Sequence, residues 1–182
     1  MATGLGNPIV RRIARNGIVA ALYYGLTMLM VLVPAISQFG PIQCRFSEFM
    51  VLLAFFDPSL TVGLTIGCFL ANLTGFLMGQ SIALDLIFGT LATLIACLLE
   101  AYFSRFLFVA ALWPVVLNGV IVGAEIYFLM NLDNLPIWLC MGYVALGELI
   151  ALTVGYIIFM IMVRQPPVMQ VIGATRHTDV RF

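Results

Sequence analysis

The chain has 182 residues, of which 63% are hydrophobic and only 9% charged, with a mean hydropathy of +1.14. That composition excludes a soluble globular domain and places the chain among polytopic membrane proteins. It carries eight arginines, no lysine and a net charge of zero, so it offers no basic footprint for nucleic acid.

With no water in the hydrocarbon layer, backbone groups must pair within the spanning segment, which leaves helices or a closed barrel. The charge-free runs Asn16–Cys44, Pro58–Leu84, Leu86–Leu99 and Phe106–Ala124 are too long and too uniformly apolar for barrel strands. The fold class is therefore an all-α integral membrane protein. Residues 1–164 form a six-helix membrane domain and residues 165–182 a polar C-terminal tail.

Asn7-Pro8 is a helix-start signal, and helix 1 runs from about Ile9 to Pro34. No cleavable signal peptide is expected, because this first apolar run far exceeds a signal core and follows Arg11, Arg12 and Arg15. Gly40-Pro41 marks a loop. Ser47–Phe56 is a short helix 2, about ten residues, too short to span alone unless loop residues join it or the bilayer thins. Asp57-Pro58 turns the chain into helix 3, about Ser59–Met78. After Gly79-Gln80-Ser81 come helix 4 (about Ile82–Tyr102) and helix 5 (about Ser104–Met130), the latter with a kink expected at Trp113-Pro114. The stretch Asn131–Pro136 is a loop, and helix 6 covers Ile137–Val163 before Arg164 and Pro166-Pro167 stop it.

Arginine placement sets the orientation. Arg11, Arg12, Arg15, Arg164, Arg176 and Arg181 flank the two ends, so both termini are expected in the cytoplasm, as six spans require. Arg105 obeys the same topology, and Arg45 is the exception. Small residues recur every fourth position: Gly17, Ala21 and Gly25 in helix 1; Gly63, Gly67, Ala71 and Gly75 in helix 3; Gly147, Ala151 and Gly155 in helix 6. Such stripes let helices approach closely in lipid, either within the chain or, for helix 1, against another membrane subunit.

An ionisable group inside the bilayer is costly and usually marks a ligand or ion site. Glu48, Asp85, Glu125 and Glu148 lie within or at the rim of apolar segments, and all four fall in the outer half of the bilayer on this topology. Glu48 and Asp85 are expected near the rim, Glu125 and Asn72 one to two turns deeper, and Asn118 and Glu148 near mid-membrane. Arg45, three residues before Glu48, is placed to pair with it. Four carboxyls against one arginine suit a ligand rich in N–H donors or carrying a cation, rather than an anion. Tyr127, Phe128, Trp138 and Tyr143 are available to stack on a flat ring, although Trp138 is better suited to the membrane interface.

Catalysis is not expected. The only histidine, His177, lies in the tail, and no catalytic pair or HExxH occurs. The four cysteines lack metal-ligand spacing and read as small buried hydrophobes, with a Cys44–Cys140 disulfide the lesser alternative. No GxxxxGK[ST] loop exists, so neither cofactor nor metal is implied, and pumping would draw on a gradient or a partner.

Several segments together resemble the QueT family. They are Arg45-Phe46-Ser47-Glu48, Phe55-Phe56-Asp57-Pro58, the stretch from Gly63 through Asn72-Leu73, Asp85-Leu86-Ile87-Phe88-Gly89-Thr90, Trp113-Pro114-Val115-Val116-Leu117-Asn118-Gly119, and Val144-Ala145-Leu146-Gly147-Glu148. The resemblance covers roughly Ile13–Val163, and the chain departs from the family in having no lysine and in the tail after Pro166. It implies a substrate-binding (S) component of an energy-coupling factor (ECF) transporter in a prokaryotic plasma membrane. Such a component captures a queuosine precursor, a 7-deazaguanine base, outside the cell. It docks on a transmembrane coupling subunit driven by two cytoplasmic ATPases and carries the ligand across by toppling. Ala21-xxx-Gly25 resembles the family's small-residue contact, with Gly17 on the same stripe. The expected ligand groups are Glu148 or Glu125 for the base's N–H fork, Glu48 or Asp85 for a cationic arm, and Asn72, Asn118 or Arg45 for the ring carbonyl. A self-sufficient proton- or cation-coupled carrier of a small heterocycle is the alternative.

Overall fold

The computed structural model describes residues 7–31, 45–130 and 135–165. Among these every regular element is helical: α1 (Pro8–Val31), a 3-10 helix (Phe46–Leu52) running directly into α2 (Leu53–Phe56), a 3-10 turn (Pro58–Leu60), α3 (Thr61–Leu77), α4 (Asp85–Phe103), α5 (Leu107–Glu125) continued by a π-helix (Ile126–Met130), and α6 (Ile137–Val163). Five helical stretches are long and apolar enough to cross a membrane: Pro8–Val31, Pro58–Leu77, Asp85–Phe103, Leu107–Leu129 and Ile137–Val163. The sixth, Phe46–Phe56, is shorter, as its sequence predicts.

Local signals account for most boundaries. Asn7 caps α1, its Oδ1 accepting from the Ile9 amide at 3.0 Å, and Pro8 takes the first helical position, where a missing N–H costs nothing. Asp57 accepts from the Ser59 amide at 3.0 Å with one carboxylate oxygen and from Arg15 at 2.7 Å with the other. One residue thus caps the turn into α3 and ties it to the start of α1. α4 begins at Asp85 rather than Ile82, the residues between forming a turn. Helix 5 is α-helical through Pro114 but widens to a π-helix from Ile126, a change no residue in that stretch announces. The expected end of helix 1 at Pro34, the Gly40-Pro41 loop, Cys44, most of the Asn131–Pro136 loop and the tail after 165 lie outside the described residues.

α1 packs on α3, α3 on α4, α4 on α5 and α5 on α6, while the short helix lies among them and touches α1, α3, α4, α5 and α6. Ser47, Glu48, Met50, Val51, Leu52, Ala54, Phe55 and Phe56 are all buried. At its start Ser47 accepts from or donates to the Thr27 hydroxyl (2.7 Å), and just past its end Asp57 meets Arg15. The short helix therefore runs antiparallel to α1 over the stretch from Thr27 to Arg15, about 18 Å of α-helix. The 3-10 winding makes this reach attainable. Seven residues at about 2.0 Å and four at about 1.5 Å cover roughly 20 Å, where eleven α-helical residues would cover about 16 Å.

The three small-residue stripes have different roles. On α3, a Cβ at Gly63 would meet the Asn16 backbone oxygen at 2.5 Å, and one at Gly67 would meet Tyr23 Cβ at 2.8 Å. On α6, a Cβ at Gly155 would collide with Phe49 of the short helix. These two stripes are the seats of α1 and the short helix. On α1, Gly17, Ala21 and Gly25 are exposed, and a Cβ at Gly17 or Gly25 would meet nothing within 4 Å. Gly67→Leu should accordingly lower stability by about 1–3 kcal/mol through overpacking, whereas Gly25→Leu should leave it within about 0.5 kcal/mol. Thermal unfolding of the two variants in detergent reads this difference, and equal shifts would show that the α1–α3 contact is not close-packed.

Candidate functional site

All seven site residues expected from the sequence are buried: Arg45, Glu48, Asn72, Asp85, Asn118, Glu125 and Glu148 each show 6% exposure or less. They come from the short helix and its lead-in, α3, α4, α5 and α6.

Arg45 is the hub. Its Nη2 lies 3.1 Å from Asp85 Oδ2 and 3.2 Å from Oδ1, an ion pair within the protein interior. Arg45 was expected to pair with Glu48, three residues on. Instead the 3-10 turn hydrogen-bonds the Glu48 amide to the Arg45 carbonyl (2.9 Å) and the guanidinium reaches α4. Glu48, Glu125 and Glu148, on three further segments, are within electrostatic reach of the guanidinium. Asn72 supports the pair from α3, its Nδ2 donating to the Asp85 carbonyl at 3.2 Å. Gly89 makes room for this meeting. A Cβ there would stand 2.7 Å from Asp85 Oδ1, 2.9 Å from Asn72 Nδ2 and 3.2 Å from Arg45 Nη1.

Glu48 lies deeper than the rim position expected for it. Its Oε1 accepts from Thr93 at 3.0 Å and from the Tyr23 hydroxyl in a short hydrogen bond. The Arg45–Asp85 pair lies beside Gly89 and Thr93 is one turn further into α4, so the Glu48 carboxylate sits about 6 Å below the pair along that helix. The extended 3-10 backbone carries it down. Its other oxygen, Oε2, has no hydrogen-bond partner among the described residues. The same holds for both Glu125 oxygens, for Glu148 Oε2 and for both amide atoms of Asn118. Asn118 and Glu125 are seven residues apart on α5, two turns along one inward face.

Such unpartnered polar atoms are rare in a folded interior, because each forfeits its hydrogen bonds to water, at about 1–3 kcal/mol or more for a charged group. The described protein groups do not satisfy them. The arrangement is a set of buried acceptors around a neutralised core, and it can take a ligand that brings several N–H donors. Among the described residues no His, Cys, Asp or Glu group is placed to hold a metal ion.

Of the aromatic residues considered as stacking partners, Phe128 lines a largely apolar cavity together with Glu125. Tyr127, Phe128 and Trp138 are exposed on the outside of the bundle, and Tyr143 is half-buried. Tyr127 and Phe128 pack edge to face on each other, at 5.0 Å between centroids. Sequence reasoning also missed four contributors. Tyr23 and Thr93 hold Glu48, and the Cys68 thiol lies 3.3 Å from Thr93 Oγ1. Their residue types look like ordinary core, so no sequence signal marks them. The fourth, Glu100, is fully buried near the far end of α4, with neither oxygen partnered among the described residues. A carboxylate at the edge of an apolar run was the signal for it.

The chain matches the family model described as QueT transporter over residues 13–164. It is 36% identical over 151 residues, 76% of this chain and 83% of the relative, to the queuosine precursor transporter QueT of Lactococcus lactis subsp. cremoris (strain MG1363). No solved structure matches. Span-length apolar helices, a buried polar site and a family match over most of its length lead to one conclusion: the chain belongs to the QueT transporter family.

Proposed function

We propose that this chain is the substrate-capturing subunit of an ECF-type importer and that it binds a 7-deazaguanine queuosine precursor from outside the cell. The observation that carries the reading is the set of buried acceptors on Glu48, Glu125, Glu148 and Asn118 without hydrogen-bond partners among the described residues, in the same bundle interior as the Arg45–Asp85 pair. The relative's name supports the substrate class, and the residue chemistry supports the form with an aminomethyl arm. The base offers a ring N–H beside an exocyclic amine, a fork that one carboxylate accepts bidentately. Glu125 has both oxygens available for it. The cationic arm suits Glu148 or the unoccupied oxygen of Glu48, and the Asn118 amide suits the ring carbonyl. Asp85 is engaged with Arg45, and Asn72 donates to the Asp85 carbonyl, which makes them positioning residues in this assignment. The role is transport and not catalysis.

Orientation and docking belong to the same reading. The short helix completes a sixth crossing, which returns both termini to the cytoplasmic side, where Arg11, Arg12, Arg15, Arg105 and Arg164 satisfy the positive-inside rule. The Arg45–Asp85 end then faces outward. The open stripe Gly17, Ala21 and Gly25 is the docking face for the coupling subunit, whose two ATPases supply the energy this chain lacks. Small residues with open space before them permit close helix–helix contact in lipid.

Calorimetric titration of the detergent-purified chain with 7-aminomethyl-7-deazaguanine, with guanine and queuine as controls, tests the capture role. Tight binding without partners is expected, with guanine weaker for want of the cationic arm; no binding of any of the three would overturn the reading. Glu125→Gln and Glu148→Gln should each weaken binding about 10- to 100-fold, the loss of one or two charge-assisted hydrogen bonds, with the folded state retained in thermal unfolding. Unchanged affinity would remove that residue from the site. Ala21→Leu should leave the titration unchanged and abolish uptake when the coupling module is co-expressed. Uptake by the chain reconstituted alone would favour a self-sufficient carrier instead.

A further inference from the structure

At the opposite end from Arg45 the structure has a cleft of about 500 Å³, lined by Arg11, Arg12, Arg15, Asp57, Ser59 and Tyr102 among others. Arg15 is engaged with Asp57 at 2.7 Å, which neutralises one of the three guanidiniums. Arg11 and Arg12 are exposed, and among the described residues neither has a carboxylate partner. The cleft therefore presents two net positive charges, beside the Ser59 hydroxyl and the Tyr102 ring.

Arg12 also lines a second cavity of about 530 Å³, a groove between α1 and α3 whose other walls are Ile9, Ile13, Asn16, Gly17, Ala20, Val62 and Ile66, so that it reaches the first residue of the open α1 stripe. Ile9, Ile13, Val62 and Ile66 are 47–67% exposed. From Arg12 to Ala20 the groove follows α1 for about 12 Å, most of the thickness of one leaflet of a hydrocarbon layer about 30 Å deep. A basic cleft thus opens at Arg12 into a mainly apolar groove that covers most of one leaflet.

We infer that this composite cavity is a binding site for an anionic phospholipid, its phosphate held by Arg11 and Arg12 and one acyl chain lying along the α1–α3 groove. Planar guanidiniums match phosphate oxygens in a bidentate fork, and they stand where the headgroup layer begins. A zwitterionic lipid brings its own ammonium, which would meet these arginines with like charge. A free phosphate would satisfy the cleft and leave the groove empty. The inference is independent of what the chain transports.

Native mass spectrometry of the detergent-purified chain, titrated with dioleoyl phosphatidylglycerol or dioleoyl phosphatidylcholine, tests it. One phosphatidylglycerol should be retained in preference to phosphatidylcholine. The double variant R11Q/R12Q, altered only at exposed positions, should lose about thirty-fold in affinity for phosphatidylglycerol, as expected for two surface arginines facing an anionic lipid. Its affinity for phosphatidylcholine should not change. Thermal unfolding matching the unaltered chain would verify that the variant is folded. Equal retention of the two lipids, or a preference that survives in the double variant, overturns the proposal. Displacement of the lipid by submillimolar inorganic phosphate also overturns it, by showing that the cleft selects phosphate without the chains.

Discussion

The rest of the structure depends on one charged contact, the ion pair between Arg45 and Asp85 inside the bundle. A guanidinium in this environment is sustainable only with a carboxylate against it, because stripping water from either group costs several kcal/mol. The pair fixes the start of the short helix to the start of α4, and Asn72 and Gly89 are shaped around it. Once Arg45 is neutralised by Asp85, the remaining carboxyls of Glu48, Glu125 and Glu148 have no full cation to themselves. That imbalance gives the site its appetite for N–H donors and positive charge.

The short helix makes the imbalance spatially possible. An ordinary α-helix of eleven residues would cover about 16 Å of the roughly 18 Å from Thr27 to Arg15. Winding the first seven residues as a 3-10 helix lengthens the segment and lowers Glu48 to the level of Thr93 and Tyr23. The polar site is consequently deep rather than a rim of charges. Close packing around it is obtained by deleting side chains. Gly155 admits Phe49, Gly67 admits Tyr23, and Gly119 and Gly123 bring α5 against Ala145 and Met141 of α6. In lipid, where expulsion of water contributes little between helices, such intimate contact is what holds them together. The helix 1 stripe has no such seat, and its openness is the physical basis for assigning it to a partner.

Much of this was legible in the residues. The six apolar stretches, the Asn7-Pro8 start, the Asp57-Pro58 turn and the burial of seven polar residues follow from hydropathy, capping chemistry and the cost of charge in hydrocarbon. The pairing of Arg45 was not legible, because sequence neighbours compete with residues forty positions away and only the path of the backbone decides between them. The stacking aromatics misled for a related reason. A ring near an acidic residue in sequence can still be exposed, as Tyr127 and Phe128 are near Glu125. Glu100 was passed over because it stands near the end of an apolar run, where a charge can reach water, and the packing of α4 denies it that route.

The sequence by itself determined that the chain lives in a membrane as a helical bundle, and which few polar residues lie within its apolar runs, because composition and periodicity act locally and each charge in an apolar run must be accounted for. Only the tertiary structure decided which charge meets which, how deep Glu48 lies, and which small-residue stripe is used within the chain and which is left open. Those outcomes depend on how far each helix rises per residue and on which faces meet, quantities set by packing between segments distant in sequence.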